Sequence, residues 1–439
     1  MRRLCTLALV FGWVCLAALG VPTAAAEDKP TNEVVVDHLN NPTGVLVDPD
    51  GTIWVAESGV PGSTKATARN FDIGKDGDTA LIGDSASVLR VEPNGKRTKV
   101  AQLPAVKIGM MMYGAHHIVK VGDVLYVPTT AWTADVQAKR VPYAGTVVRI
   151  EKNKLSMVAD LYEYERVNNP NGFRIESDPF GIAVGPDGNL LVTEAGANTL
   201  VKINPTTGEM LPLAVFGSLA SPIPNPNRNN QMATDPVPTG IDIDKDGNAF
   251  VGFFSGFPFI PGAAAVVKVS PSGAITPYAT NLTMLTDVAF GPDGNLYAVA
   301  YGAFTGQGFD GTKGMIVRVK AGKASEIVAT GVDSPSALSF TAAGDAYVAT
   351  KSASGAGKGQ IVRYNGLIYR PSLGRVWDES NALTDKAWTA PGDQAVAADL
   401  AGENPLFDMR LLGGAGGLAL VAAVVGLGLW RRRRMARAG

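Results

Sequence analysis

One short pattern, returning six times, constrains this chain more than its length or composition does. Its fullest copy, Asp178 to Val215, reads DPFGIAVGPDGNLLVTEAGANTLVKINPTTGEMLPLAV. Four apolar runs, Gly181–Val184, Asn189–Thr193, Thr199–Ile203 and Met210–Val215, are separated by Gly-Pro-Asp-Gly, Glu-Ala-Gly and Asn-Pro-Thr-Thr-Gly. Apolar runs bounded by Gly, Pro, Asn and Asp read as strands, and turns this short make successive strands antiparallel neighbours. The first hairpin returns from Pro42, His117, Pro238, Thr286 and Pro335. The third strand returns with a basic residue among apolar ones: VLRV at Val88, VVRI at Val147, LVKI at Leu200, VVKV at Val266, IVRV at Ile316 and IVRY at Ile361.

The copies are spaced by about 47 to 73 residues, the differences coming from inserted loops. A four-stranded unit cannot bury both of its faces alone, so units in this phase predict an all-β fold, a six-bladed β-propeller spanning residues 27–368. EVVVDHL (Glu33–Leu39) resembles the fourth strands of other units, and the last unit lacks a fourth strand of its own. Glu33–Leu39 is expected to supply it, closing the ring and leaving no long sheet edge exposed.

The ends of the chain read differently. Arg2 and Arg3, an apolar run from Leu4 to Leu19 and Ala24-Ala25-Ala26 form a secretory signal peptide over residues 1–26. Both cysteines, Cys5 and Cys15, lie inside it, so the mature chain is expected to have no disulfide. Residues 369–410, with Trp377 and Trp388, read as a linker stalk. Leu411 to Trp430 is uncharged and apolar for about 20 residues, the length of a bilayer crossing. Arg431–Arg434 and Arg437 follow, which predicts a cytoplasmic basic tail over 431–439 and a domain on the outer face of the membrane. The Gly-rich start of that run, from Gly413, also fits a sorting tail that is cut, so a retained anchor and a processed one both remain open. Without Arg2, Arg3 and the five tail arginines, 32 basic residues face 40 acidic ones, which argues against nucleic acid as a partner. A monomer is expected.

The stretch SGFPFIPGAAAVVKV (Ser255–Val269), with QMATDPVPTGIDI before it, resembles the ScyD/ScyE family of secreted bacterial β-propellers. NNPTGVLVDPDGTIWVAESG and SDPFGIAVGPDGNLLVTEAG are similar to that family too, and the match covers roughly residues 33–365. The hairpins alone occur more widely, in SMP-30/gluconolactonase and NHL-repeat propellers. The resemblance implies the fold and export much more than any chemistry. The second unit departs from it: His116-His117 stand where Thr-Gly or Phe-Gly stands elsewhere.

In propellers the loops before the first strand and after the second converge on the central channel, and ligands bind there. Asn41, Glu57, His116, His117, Asp178, Glu194, Tyr301 and Lys351 fall at those positions and are the candidate binding residues. Glu57 and Glu194 are equivalent to each other. Two carboxylates facing one channel would bind Ca²⁺ or divide acid and base roles. Alternatively each caps backbone groups at a strand end. Adjacent histidines in a strand point to opposite faces, so His116 and His117 would share an ion only from a loop.

Asp242 to Asn248 copies the start of a calcium loop but has Phe253 where the closing acid belongs, and its register is that of a hairpin turn. Asp72 to Asp78, inside an insertion, is the better metal candidate of the two. The insertions Val60–Ser85 and Phe216–Asp235 are too long for plain hairpin loops. These readings make the chain a membrane-tethered binding or scaffolding module for a small molecule or an envelope protein. The alternative is a metal-dependent hydrolase or lactonase of SMP-30-like type using channel carboxylates.

Overall fold

A computed structural model of the chain describes residues 32–376, apart from 71–74, 110, 131–134, 137–138 and 307. The expected signal peptide, most of the expected stalk, the apolar run 411–430, the basic tail and residues 72–74 lie outside the described residues. Among the described residues no helix is long and apolar enough to cross a membrane.

The chain is built from small antiparallel sheets, taken in sequence order. The first holds Pro42–Val47, Ile53–Glu57, Lys75–Val91 and Arg97–Ile108. The second holds Val119–Val121, Val124–Thr129, Thr146–Glu151 and Lys154–Asp160. Pro179–Val184, Leu190–Glu194, Thr199–Ile203 and Met210–Val215 form the third. Pro238–Ile243, Ala249–Phe253, Ala264–Val269 and Ile275–Leu282 form the fourth. The fifth holds Leu285–Phe290, Leu296–Ala300, Met315–Arg318 and Glu326–Thr330, with Gly374–Arg375 at its outer edge. The last takes Ala337–Phe340, Ala346–Thr350 and Gly359–Tyr364 from the end of the chain and Asn32–Leu39 from its start.

Each sheet buries its apolar faces between its two neighbours. Val88, Leu103 and Ala105 of the first pack on Ile118, Val127 and Val148 of the second. Val147 packs on Leu190 and Val192, Leu200 on Val251 and Val267, Val266 on Leu296 and Ala298, and Val299 on Val348. Ala349 and Ile361 of the last sheet then pack on Val45 and Val55 of the first, so the succession returns to its start. This is the arrangement of a β-propeller. It also explains the sequence pattern. Second strands such as Leu190–Glu194, Leu296–Ala300 and Ala346–Thr350 are buried at every residue because both faces meet a neighbouring sheet, so they read as continuous apolar runs. Met210–Val215, on the outer rim, exposes Leu211 and Pro212.

The Gly-Pro-Asp-Gly segments are two-sided turns. Gly188 sits at φ 78°, open to Gly and strained for other residues. Asp242–Asn248 is such a turn, with Gly247 N–H donating to the Asp244 carbonyl, and not a calcium loop. The basic residues of the third strands lie over rings or pair with acids: Arg318 sits 5.5 Å from the Tyr297 ring and 3.1 Å from Glu326.

Both insertions, too long for plain hairpin loops, carry strands of their own. In Val60–Ser85, Thr64–Asn70 pairs with the first half of Lys75–Val91, a single strand whose second half is the third strand of the first sheet. The insertion is therefore a hairpin arm continuing that sheet. Phe216–Asp235 likewise contains its own two-stranded sheet, Leu219–Asn225 with Gln231–Thr234. Past residue 368 the chain stays on the fifth sheet: Gly374–Arg375 pairs with Glu326–Ile327.

Asn32–Leu39 pairs antiparallel with Gly359–Tyr364, as the sequence anticipates, from Asn32 opposite Tyr364 to Leu39 opposite Gly359. Val36 and Leu39 are fully buried by it. Deleting residues 27–39 strips the last sheet of its outer strand and uncovers that core. Thermal unfolding of the truncated protein should begin at least 10 °C lower, since about 1 kcal/mol already moves a midpoint by a few degrees. A midpoint unchanged by the deletion would show that the pairing is dispensable.

Candidate functional site in and above the central channel

The first strand of each sheet has only one strand neighbour, so one edge faces the ring axis with unpaired backbone groups. Side chains of the preceding sheet meet them. Thr43 Oγ1 donates to the Ala115 carbonyl at 2.7 Å, Thr239 Oγ1 to Leu285 at 2.7 Å and Thr286 Oγ1 to Pro335 at 2.9 Å. Ser336 Oγ donates to Pro42 at 2.8 Å, joining the last sheet to the first. Carboxylates accept the corresponding amides: Asp242 Oδ2 takes Phe290 N–H at 2.7 Å and Asp287 Oδ2 takes Leu338 N–H at 2.8 Å. Burial, with Asp287 nearby, lifts Asp242 to about 6. The next position is glycine in the first, third and fourth sheets, at Gly44, Gly181 and Gly240. A Cβ on Gly240 would lie 2.3 Å from Asp287 Cα.

Thr193 Oγ1, on the second strand of the third sheet, links that sheet to the fourth by donating to the Thr239 carbonyl. The threonine position itself is taken in the second and third sheets by His116 and Phe180. Their rings meet instead, with centroids 3.8 Å apart. At the following position, where Gly44 and Gly240 stand in other copies, are His117 and Asp287. His117 Nε2 lies 3.2 Å from Asp287 Oδ1 without making an aligned hydrogen bond. His116 Nδ1 and His117 Nδ1 are 3.4 Å apart, and both histidines are buried. Burial holds His116 well below the usual imidazole range, with the charge of His117 adding to the effect. The histidines meet the loop condition: only Ala115 makes a bridge, to Thr129, and they follow it on non-strand backbone. The two rings therefore turn to the same side.

The channel carboxylates behave as caps. Glu57 Oε1 accepts Asn40 N–H and its Oε2 accepts Ser87 Oγ, each at 2.6 Å. Glu194 Oε1 accepts Ser177 Oγ at 2.6 Å and Oε2 accepts Ala197 N–H at 2.9 Å. Burial lifts Glu194 to about 7 despite these bonds. Asp178 is raised well above the carboxylate range, first by burial, then by Glu194 and Glu176, and its Oδ1 is enclosed without a partner. Asn41 ties the first sheet to the last, donating to Gly59 O at 2.8 Å and accepting Gly355 N–H at 2.9 Å. Lys351 is a turn residue with φ 55° whose N–H reaches Asp333 O. Among the described residues no group of three or more His, Cys, Asp or Glu side chains is placed to hold a metal ion.

Tyr301 leads to a surface the sequence reading overlooked. Its ring lies 6.3 Å from Phe254 and 6.0 Å from Phe309. Phe259 lies 4.9 Å from both Phe304 and Phe309, and 6.1 Å from Phe257. All six rings are half-buried, on the loops after the second strands of the fourth and fifth sheets. Asp287 was overlooked as well. The signal was an acid in the fifth hairpin, Thr286-Asp287, where Thr-Gly or Phe-Gly stands in other copies. Clefts of about 370 and 340 Å³ open at the other end of the first strands, beside Asp48 and Lys120 and beside Asp242 and Lys245.

The raised Glu194 has a consequence for stability. Its carboxyl holds a proton more tightly in the folded chain than the ordinary 4.5 allows. Stability is therefore full below about 4.5 and falls as pH rises toward about 7, by on the order of 3 kcal/mol, with Asp178 acting in the same direction. Urea unfolding at pH 5 and pH 7.5 should show that loss in the wild type and a smaller one in Glu194→Gln. Equal losses in the two proteins would contradict the assignment.

No family model matches the chain, and no curated protein matches it. Solved structures similar to it include a virginiamycin B lyase from Staphylococcus aureus, 15% identical over 73% of this chain and 81% of that one, with a TM-score of 0.40. Another is a PQQ-bound aldose sugar dehydrogenase from Streptomyces coelicolor, 14% identical over 77% and 99% of the two chains, TM-score 0.43. A third is a luciferin-regenerating enzyme, 10% identical over 79% and 98%, TM-score 0.41.

Proposed function

We propose that the chain is an exported six-bladed β-propeller of the ScyD/ScyE kind, working as a binding module that holds a flat apolar ligand on the loops above its channel. The observation that carries this reading is the half-buried group of Phe254, Phe257, Phe259, Tyr301, Phe304 and Phe309. Aromatic pairs contribute about 0.5–1.5 kcal/mol each beyond the area they bury, so packed rings hold one another in place before a ligand arrives. A ligand then stacks on a surface that needs little rearrangement.

The capping bonds made by Glu57 and Glu194 point the same way. Every carboxylate oxygen of these two residues already accepts a bond from a strand or loop beside its own sheet. The placement outside the membrane is supported by the charge pattern of residues 1–26 and 411–437. In this reading the module is a monomer held by its C-terminal apolar run, with its partner a small molecule or an envelope protein presenting an apolar face.

The test is ligand-observed NMR of the full chain against a panel of polycyclic aromatic compounds. Saturation should transfer to members of the panel in the wild type and in Glu57→Gln/Glu194→Gln. It should be lost in Phe259→Ala/Phe309→Ala. A panel that gives no transfer, or transfer untouched by the double phenylalanine variant, would defeat the reading. Calcium-stimulated lactone hydrolysis abolished by the glutamate variant would replace it with the hydrolase.

A further inference from the structure

We propose that His116 and His117 hold a divalent transition-metal ion between their Nδ1 atoms in the central channel, with Asp287 orienting the His117 ring. This is independent of the aromatic surface and of what that surface binds.

The distances fit an ion shared by two imidazoles. Two imidazole nitrogens bound at about 2.0–2.1 Å to one tetrahedral ion stand about 3.3–3.4 Å apart, with ring centres about 5.3 Å apart. Here the two Nδ1 atoms are 3.4 Å apart and the ring centroids 5.5 Å apart. As a hydrogen bond between rings the contact is long, since N–H donors usually sit at about 2.7–3.2 Å from their acceptors.

The supporting shell is in place as well. A metal-bound histidine commonly presents its other nitrogen to a carboxylate, which fixes the tautomer and the ring. His117 Nε2 faces Asp287 Oδ1 at 3.2 Å and has no other partner. Asp287 is itself fixed, with Oδ1 accepting Val288 N–H at 2.9 Å and Oδ2 accepting Leu338 N–H at 2.8 Å. A small rotation aligns His117 Nε2–H on Asp287 and leaves Nδ1 with its lone pair. The His116 ring is held from its side by Phe180.

The pair also stands in place of a structural link. In other copies a threonine at the His116 position joins neighbouring sheets, and a glycine at the next position lets the strands approach. Two buried imidazoles forgo that inter-sheet bond, as Phe180 does, and also bring ring nitrogens into the axis, which a packing role alone does not require. Imidazole suits Zn²⁺, Cu²⁺ and Ni²⁺ over the hard cations. The remaining positions on the ion fall to water or to an oxygen of a bound ligand.

Calorimetric titration of the full chain with Zn²⁺ should give one site per chain. His116→Ala and His117→Ala should each bind at least tenfold more weakly. Asp287→Asn should lose about 10- to 100-fold, the usual effect of removing such a carboxylate. Should the histidine variants fail to fold, Cu²⁺ bound to the wild type decides alone: its electron paramagnetic resonance spectrum should carry coupling to two nitrogens. No zinc uptake by the wild type, a copper spectrum without nitrogen coupling, or alanine variants that bind zinc as well as the wild type would overturn the proposal.

Discussion

Each sheet turns one open edge toward a narrow axis, and the rest of the structure depends on how that edge is satisfied. An unpaired carbonyl or amide there is confined, with little room for water to serve it. Threonine and serine hydroxyls of one sheet close the carbonyls of the next, and Asp242 and Asp287 close amides. Each such bond contributes about 0.5–1.5 kcal/mol net, but leaving its partner bare costs more. The belt therefore sets the spacing and rotation of neighbouring sheets as well as adding stability. It runs from the last sheet to the first through Ser336 and Pro42, alongside the backbone pairing of Asn32–Leu39.

The same constraint locates the unusual chemistry. After Thr43, Thr239 and Ser336 a small residue follows the hydroxyl and the inner strands close up. At His116 and Phe180 rings replace the hydroxyl, and His117 meets Asp287, the residue after Thr286, beside them. Departures from an otherwise consistent pattern tend to mark function, because the rest of the fold must compensate for them. Glu57 and Glu194 follow the pattern: each ties together the loops around its own sheet.

Much of this was legible in the residues. Turn glycines and prolines marked the hairpins, and both-face burial made the second strands continuous apolar runs, so the repeat was visible without a partner sequence. The closing strand was legible because Glu33–Leu39 carries the pattern of a fourth strand that the last unit lacks. The arm from Thr64 to Val91 was not, since its polar, small residues show no alternation when a strand extends past the body of its sheet. The meeting of His116 with His117 was hidden because strand alternation does not govern the irregular backbone that carries them. Asp287 was hidden because one acid in one copy looks like drift until its partners across the axis are known. The phenylalanines after Phe253 were noticed as a family-like stretch, but their contact with Phe304 and Phe309 is a matter of folding.

The central claim is that inner-edge backbone groups are closed by side chains of the neighbouring sheet. Native-state amide hydrogen exchange measures this directly at Phe290 and Leu338, whose N–H groups have carboxylate acceptors in that role. Protection within about tenfold of the Val299 and Val348 amides, in the middle of second strands, is the predicted result. Exchange at Phe290 and Leu338 as fast as at the exposed turn residues Asp246 and Asp293 would contradict it.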